Sequence, residues 1–133
     1  MGVSKAEKDI VERVFKAMQV GLEAEDEMMA LFADDAVFTE PFSGEPRTHE
    51  GKAAIRKCFI DMWSENGPDV ELIVDRVDLD GDKIRAEWTC KAPVFEVPMR
   101  GVDRFCIEDG LIQYLEVTVT EMPPMDMGHG GER

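Results

Sequence analysis

Apolar residues recur at helical spacing through the first half of the chain and at a spacing of two through the second. Ile10, Val14, Phe15, Met18 and Leu22 fall on one face of a helix. Ser4 followed three residues later by Glu7 forms the reciprocal cap that starts it, and Gly21 weakens its end. Glu25, Asp26 and Glu27 suit the positive first turn of a second, shorter helix, whose apolar face would be Met28, Leu31 and Phe32. Asp34-Asp35 breaks that pattern, and 36–40 reads as a short strand stopped by Pro41. The polar stretch 42–50, with Gly44 and Pro46, reads as a loop. Helical spacing returns from Lys52 to Ser64, with Ile55, Cys58, Phe59, Met62 and Trp63 on one face, and Asn66-Gly67-Pro68 ends it.

Beyond Val70 the period is two, as in half-buried strands. Asp80-Gly81-Asp82 and Glu108-Asp109-Gly110 carry hairpin chemistry and divide this half into four long strands near 70–79, 83–92, 98–107 and 111–121. In the first of these, Leu72 and Val74 share one phase while Val77 and Leu79 take the other, which predicts a bulge that bends the sheet. Three helices followed by a bent, mostly antiparallel sheet make an α+β layout, with the helices covering the concave face because both layers must bury an apolar side. Residues 1–121 read as one domain, and the Pro/Gly/Met-rich segment 122–133 as a flexible tail.

Composition narrows the partners. A net charge of −14 would repel nucleic acid and anionic membranes, so neither is an expected partner. No apolar run is long enough to span a bilayer and no leader-like apolar segment opens the chain, which predicts a cytoplasmic protein. Cys58, Cys90 and Cys106 lie far apart, without a C-x-x-C pair, and only His49 and His129 could join them. They read as buried apolar residues, with no metal centre, disulfide or organic cofactor expected. His49, in the stretch read as a loop, is expected at the surface or as a cap.

Two carboxylates stand out. In the strand 98–107, Asp103 shares its phase with Met99, Gly101, Phe105 and Ile107. A carboxyl among apolar neighbours is disfavoured as a charge and can serve as a neutral hydrogen-bond donor. An ion pair with Arg85 or another basic residue across the sheet is the equal alternative. Glu40 ends its strand beside Pro41, in phase with Ala36 and Phe38, where strands open into loops that often carry function.

The segment Leu31-Phe-Ala-Asp-Asp-Ala-Val-Phe-Thr-Glu-Pro41, followed by Glu45-Pro-Arg47 and Gly51-Lys-Ala-Ala-Ile-Arg56, resembles the NTF2-like superfamily, specifically its SnoaL-like and ketosteroid-isomerase-like branch. The resemblance implies a cone in which a curved sheet wraps a long helix around a deep apolar pocket. It also implies roles. Glu40 stands where the isomerases place the base that moves a proton beside a ketone, although their pattern has Asp there. Asp103, in Asp103-Arg104-Phe105, stands where a protonated Asp donates to the enolate oxygen. The Tyr that those enzymes carry on the first helix is matched by Phe15, which has no proton to give, and the lone Tyr114 falls at a position the motif does not use. Losing such a donor costs roughly 2.7–4 kcal/mol of transition-state stabilisation. The charged pair of the epoxide-hydrolase branch would fall near Trp88 and Cys90, and the His of the dehydratases and cyclases has no counterpart.

These readings predict a pocket for a small hydrophobic molecule, lined by Phe15, Met18, Phe38, Phe59, Trp63, Trp88 and Met99, with Glu40 and Asp103 as acid/base partners on a carbonyl substrate. The alternatives are a small-molecule-binding domain without chemistry and a dimerisation domain. Dimers are usual in the superfamily, so a homodimer is expected, with the outer face of the sheet (Arg85, Glu87, Thr89, Tyr114, Glu116, Thr118, Thr120) polar enough for a wet contact.

Overall fold

The structure, a computed structural model, describes residues 3–41, 44–66, 71–93 and 96–121. The tail at 122–133, the turn at Gly67-Pro68 and part of the 92–98 segment between two of the long strands lie outside the described residues. Helix α1 (Lys5–Val20) begins with the predicted reciprocal cap: Glu7 N–H donates to Ser4 Oγ at 3.1 Å and Ser4 N–H to Glu7 Oε1 at 3.2 Å. It ends at Gly21, whose N–H still bonds the Ala17 carbonyl and whose φ of 94° turns the following chain out of the helix. Val11, Val14, Phe15 and Ala17 are its buried face. A single turn of 3-10 helix (Leu22–Ala24) leads into α2 (Glu25–Ala30), and α3 (Lys52–Asn66) follows β2.

Six strands form one curved, open sheet in the order β2-β1-β6-β5-β4-β3. They are β1 (Phe32–Glu40), β2 (Arg47–Glu50), β3 (Glu71–Asp80), β4 (Lys83–Lys91), β5 (Met99–Glu108) and β6 (Leu111–Glu121). Only the β1–β6 pairing is parallel. The bulge expected in β3 is present as a register shift between Val74 and Arg76, and two more shifts bend the β5–β6 pair. The concave face meets the helices around Phe32, Phe38, Phe59, Phe105, Ile112 and Leu115, all at most 2% exposed. Burying each such side chain stabilises the fold by about 1.5–3 kcal/mol.

Three local expectations change. Phe32 opens β1 instead of closing the apolar face of α2, which ends at Ala30. The strand expected over 36–40 begins four residues earlier, at Phe32, so Asp34 and Asp35 sit exposed within β1, where the register to β6 shifts between Phe32 and Val37. The stretch read as a loop contains a strand, β2, paired with β1 through Phe38↔His49 and Glu40↔Arg47. Its sequence Arg47-Thr-His-Glu50 has no apolar alternation because it is an edge strand and mostly exposed. Gly51, at φ 91°, then turns the chain into α3 while its N–H bonds the Ala36 carbonyl at 2.8 Å.

Candidate active site

The sheet brings the two carboxylates onto one row of its concave face. Asp103 in β5 pairs with Val117 in β6, and Phe38 in β1 pairs with Leu115. Continuing that parallel register by two residues puts Glu40 beside Val117. Two strand spacings therefore separate the Glu40 and Asp103 backbones, about 10 Å. Both residues are buried, Glu40 at 0% and Asp103 at 6% exposure. Their surroundings differ completely.

Asp103 faces a cavity of about 60 Å³, lined by Val14, Phe15, Met18, Phe38, Phe59, Met62, Leu72, Trp88, Leu115 and Val117. Among the described residues, Asp103 is the only ionisable group in that lining. Its one side-chain hydrogen bond among the described residues comes from Trp88 Nε1, which donates to Oδ1 at 2.8 Å. Removal from water pushes the carboxyl up to about 7, and the Trp88 bond pulls it only partly back. The ion pair with Arg85 that the sequence left open does not form, since Arg85 bonds Glu87 instead.

Gly101 explains how Trp88 reaches Asp103. Trp88 pairs across the strands with Gly101, and a Cβ at Gly101 would lie 2.2 Å from the Trp88 ring and 2.6 Å from the Thr118 carbonyl. The ring therefore packs directly against the glycine, and its N–H arrives at the residue two places along. An isolated glycine inside an alternating strand is the local signal of such a close approach.

Glu40 lies outside that lining. It closes the row towards β2, where Arg47 Nε and Nη2 donate to Oε2 at 3.0 and 2.9 Å and His49 Nε2 lies 2.9 Å from the same oxygen. Cys58 Sγ of α3 approaches it at 4.0 Å. Arg47, with its side chain 53% exposed, and His49, at 18%, join this carboxylate to the surface. His49 is thus a partner of a buried acid, not the surface or capping residue expected from a loop. This cluster leaves no local signature, because the strand that carries Arg47 and His49 has no buried alternation.

The two environments share a wall. Phe38 lines the cavity and stacks on His49 at 5.9 Å; Met62 lines it and lies 3.9 Å from Cys58. Phe59 stacks between Phe38 and Trp63, at 5.0 and 5.6 Å. Of the predicted lining, Phe15, Met18, Phe38, Phe59 and Trp88 face the cavity. Trp63 stands behind Phe59, and Met99 at the start of β5 pairs with Cys90, so neither is in the lining. A wider groove of about 460 Å³ between α1 and α2 is lined by Arg13, Lys16 and Glu27 among apolar residues, and among the described residues no buried ionisable group lines it. Among the described residues, no helix is long and apolar enough to cross a membrane.

Comparison with known proteins agrees with this architecture. A family model described as a SnoaL-like domain matches residues 11–115. A structure described as a candidate ketosteroid isomerase from Kribbella flavida is 23% identical with a TM-score of 0.68, covering 98% of this chain and 90% of its own. A candidate polyketide cyclase from Sinorhizobium meliloti is 24% identical with a TM-score of 0.69, covering 86% of this chain and 100% of its own. Bal32a, from a soil-derived mobile gene cassette, is 16% identical with a TM-score of 0.73, covering 88% and 91%. Identities this low establish a shared NTF2-like fold and nothing about substrate. No curated protein matches the chain.

Proposed function

The chain belongs to the SnoaL-like domain family, and from that premise we propose that it binds a small hydrophobic carbonyl compound in the concave cavity and assists a proton transfer on it. The observation that carries this reading is Asp103, a buried carboxyl with its pKa raised to about 7, facing an otherwise apolar cavity. Trp88 donates to Oδ1 and so leaves Oδ2 to hold the proton. A protonated carboxyl aimed at a carbonyl oxygen stabilises the enolate that forms when a neighbouring C–H is deprotonated. A group poised near neutrality can also return a proton.

Glu40 is the proposed base. It stands on the same row with Val117 between the two carboxylates, a spacing that leaves room for a small ligand. To reach substrate, its carboxylate must turn from Arg47 towards the cavity, past Phe38. The cavity volume of about 60 Å³ is far below the roughly 300–1,000 Å³ of sites for drug-sized ligands. The ligand is therefore small, or Met18, Met62 and Leu72 shift to admit it; methionine is well suited to such repacking.

One observation favours a second reading, binding without turnover: Glu40 is tied to Arg47 and His49 outside the cavity lining. A panel of small hydrophobic ketones, with the matching alkanes as controls, separates the two. The proposal expects ketones to bind below about pH 7 and to weaken roughly tenfold per pH unit above it, as Asp103 ionises. Asp103→Asn, which keeps a donor, retains binding, whereas Asp103→Leu loses it. Deuterium exchange next to the carbonyl of a bound ketone should then be lost in Glu40→Gln. Exchange that persists in this variant rules out Glu40 as the base, and binding with no exchange in any variant leaves the non-catalytic reading. We also propose a cytoplasmic homodimer that pairs through the outer sheet face, which mass measurement in solution tests.

A further inference from the structure

The cluster beside Glu40 has a donor set of its own. Glu40 comes from β1, His49 from β2 and Cys58 from α3, so three elements converge, each contributing a different type of metal-binding atom. One carboxylate oxygen, one imidazole nitrogen and the thiol sulfur all lie within 4.8 Å of one another. A tetrahedral zinc ion with bonds of about 2.0–2.3 Å requires its donors roughly 3.3–3.8 Å apart. Nε2 of His49 and Oε2 of Glu40, at 2.9 Å, are slightly inside that range, and Sγ of Cys58 is 4.0 Å from Oε2. Side-chain adjustments below about 1 Å bring these two contacts into it.

We propose that Glu40, His49 and Cys58 form a binding site for a zinc-class divalent cation, with the fourth position taken by water or another small ligand. The coordination is one carboxylate oxygen, Nε2 of His49 and the Cys58 thiolate, whose proton is released as the ion binds. A mixed oxygen, nitrogen and sulfur set selects zinc over magnesium or calcium, which take oxygen alone. The ring of Phe38 stacked on His49 holds the imidazole in its orientation. The ion displaces the Arg47 guanidinium from Oε2. Arg47 is half exposed, so its charge passes into water, and its path to the surface is also the ion's way in. The net charge of −14 raises the concentration of cations near the protein.

This proposal does not rest on the carbonyl-binding reading, because Asp103 and the cavity take no part in it. The two do compete for Glu40, which cannot accept a proton while it holds the ion.

The chelator-treated protein is titrated with Co²⁺ and then with Zn²⁺. The expected result is one equivalent of Co²⁺ giving a thiolate-to-cobalt charge-transfer band and the intense visible bands of four-coordinate cobalt, all displaced by one equivalent of Zn²⁺. Cys58→Ser abolishes the charge-transfer band, and His49→Ala weakens Zn²⁺ binding at least tenfold. Arg47→Ala tightens it, and Asp103→Asn leaves it unchanged. In the unsubstituted chain, one equivalent of Zn²⁺ protects one of the three thiols from alkylation, and peptide mapping identifies it as Cys58; this readout needs no variant to fold. Weak six-coordinate cobalt spectra, Zn²⁺ binding unchanged in both Cys58→Ser and His49→Ala, or Cys58 alkylated equally with and without zinc would each overturn the proposal.

Discussion

Glu40 and Asp103 are both carboxylates, both buried, and both on the same row of one sheet, yet the fold treats them in opposite ways. Asp103 is surrounded by Phe105, Trp88 and Val117 and, among the described residues, receives one neutral side-chain hydrogen bond, so burial decides its state and raises its pKa to about 7. Glu40 sits where a polar edge strand lies alongside, and that strand supplies a guanidinium and an imidazole to one oxygen. Depth in the fold therefore does not set what a buried acid can do. The neighbouring strand does. A central strand offers only side chains that must themselves be buried, whereas an edge strand offers long, half-exposed side chains whose charge stays partly in water.

The largest effect that would sharpen this contrast is the pH dependence of stability. Asp103 binds its proton more tightly folded, at about 7, than at its ordinary 3.8. Its contribution is therefore most favourable below about pH 4, declines as pH rises through this window, and is fully lost above about 7. The difference amounts to something on the order of 4 kcal/mol. Chemical denaturation across pH should find Asp103→Asn more stable than the parent at pH 8, by an amount that shrinks as the pH is lowered towards 4. A constant difference across that range would break the contrast from the Asp103 side.

Gly101→Ala should come next, at about 3 kcal/mol, because the new Cβ overlaps a packed indole and a backbone carbonyl that cannot retreat. Its denaturation midpoint should fall, and the Trp88 indole N–H resonance should move as the bond to Asp103 is lost. A variant of unchanged stability would contradict the packing described. Arg47→Ala should cost about 2 kcal/mol, less than for a fully interior pair because His49 remains on the same oxygen. Glu40→Gln should cost less than Arg47→Ala, since it leaves the guanidinium in water instead of a carboxylate in the core. The reverse order would show that Arg47 is not what offsets the Glu40 charge. The smallest change belongs to Trp88→Phe. Loss of the hydrogen bond that lowers the Asp103 pKa should move its titration above about 7, at a cost of about 1 kcal/mol.

How far the sequence could reach follows the same division. The helices, the four long strands and the bulge in β3 announce themselves because each repeats an apolar residue at a fixed period against one core. The buried phase of Asp103 was legible for that reason, since it shares a period with Phe105. β2 was not legible. A four-residue edge strand with no buried alternation is defined by its pairing to β1, and pairing between strands is not written in a local pattern. His49 and Arg47 were hidden with it, and so was their hold on Glu40. Cys58 was visible as a core residue, but its approach to Glu40 depends on how α3 is seated. The Trp88–Asp103 bond likewise depends on the β4–β5 register, although Gly101 carried a readable sign of it.

The proposed chemistry requires Asp103 to be a carboxyl that is half protonated near neutrality while facing the cavity. Carbonyl-carbon NMR of the selectively labelled chain, titrated from pH 4 to 9 and assigned through Asp103→Asn, measures this directly. The expected result is an Asp103 midpoint near 7. A midpoint close to its ordinary 3.8 would show a charged, solvated carboxylate and contradict the donor role from which the proposed chemistry follows.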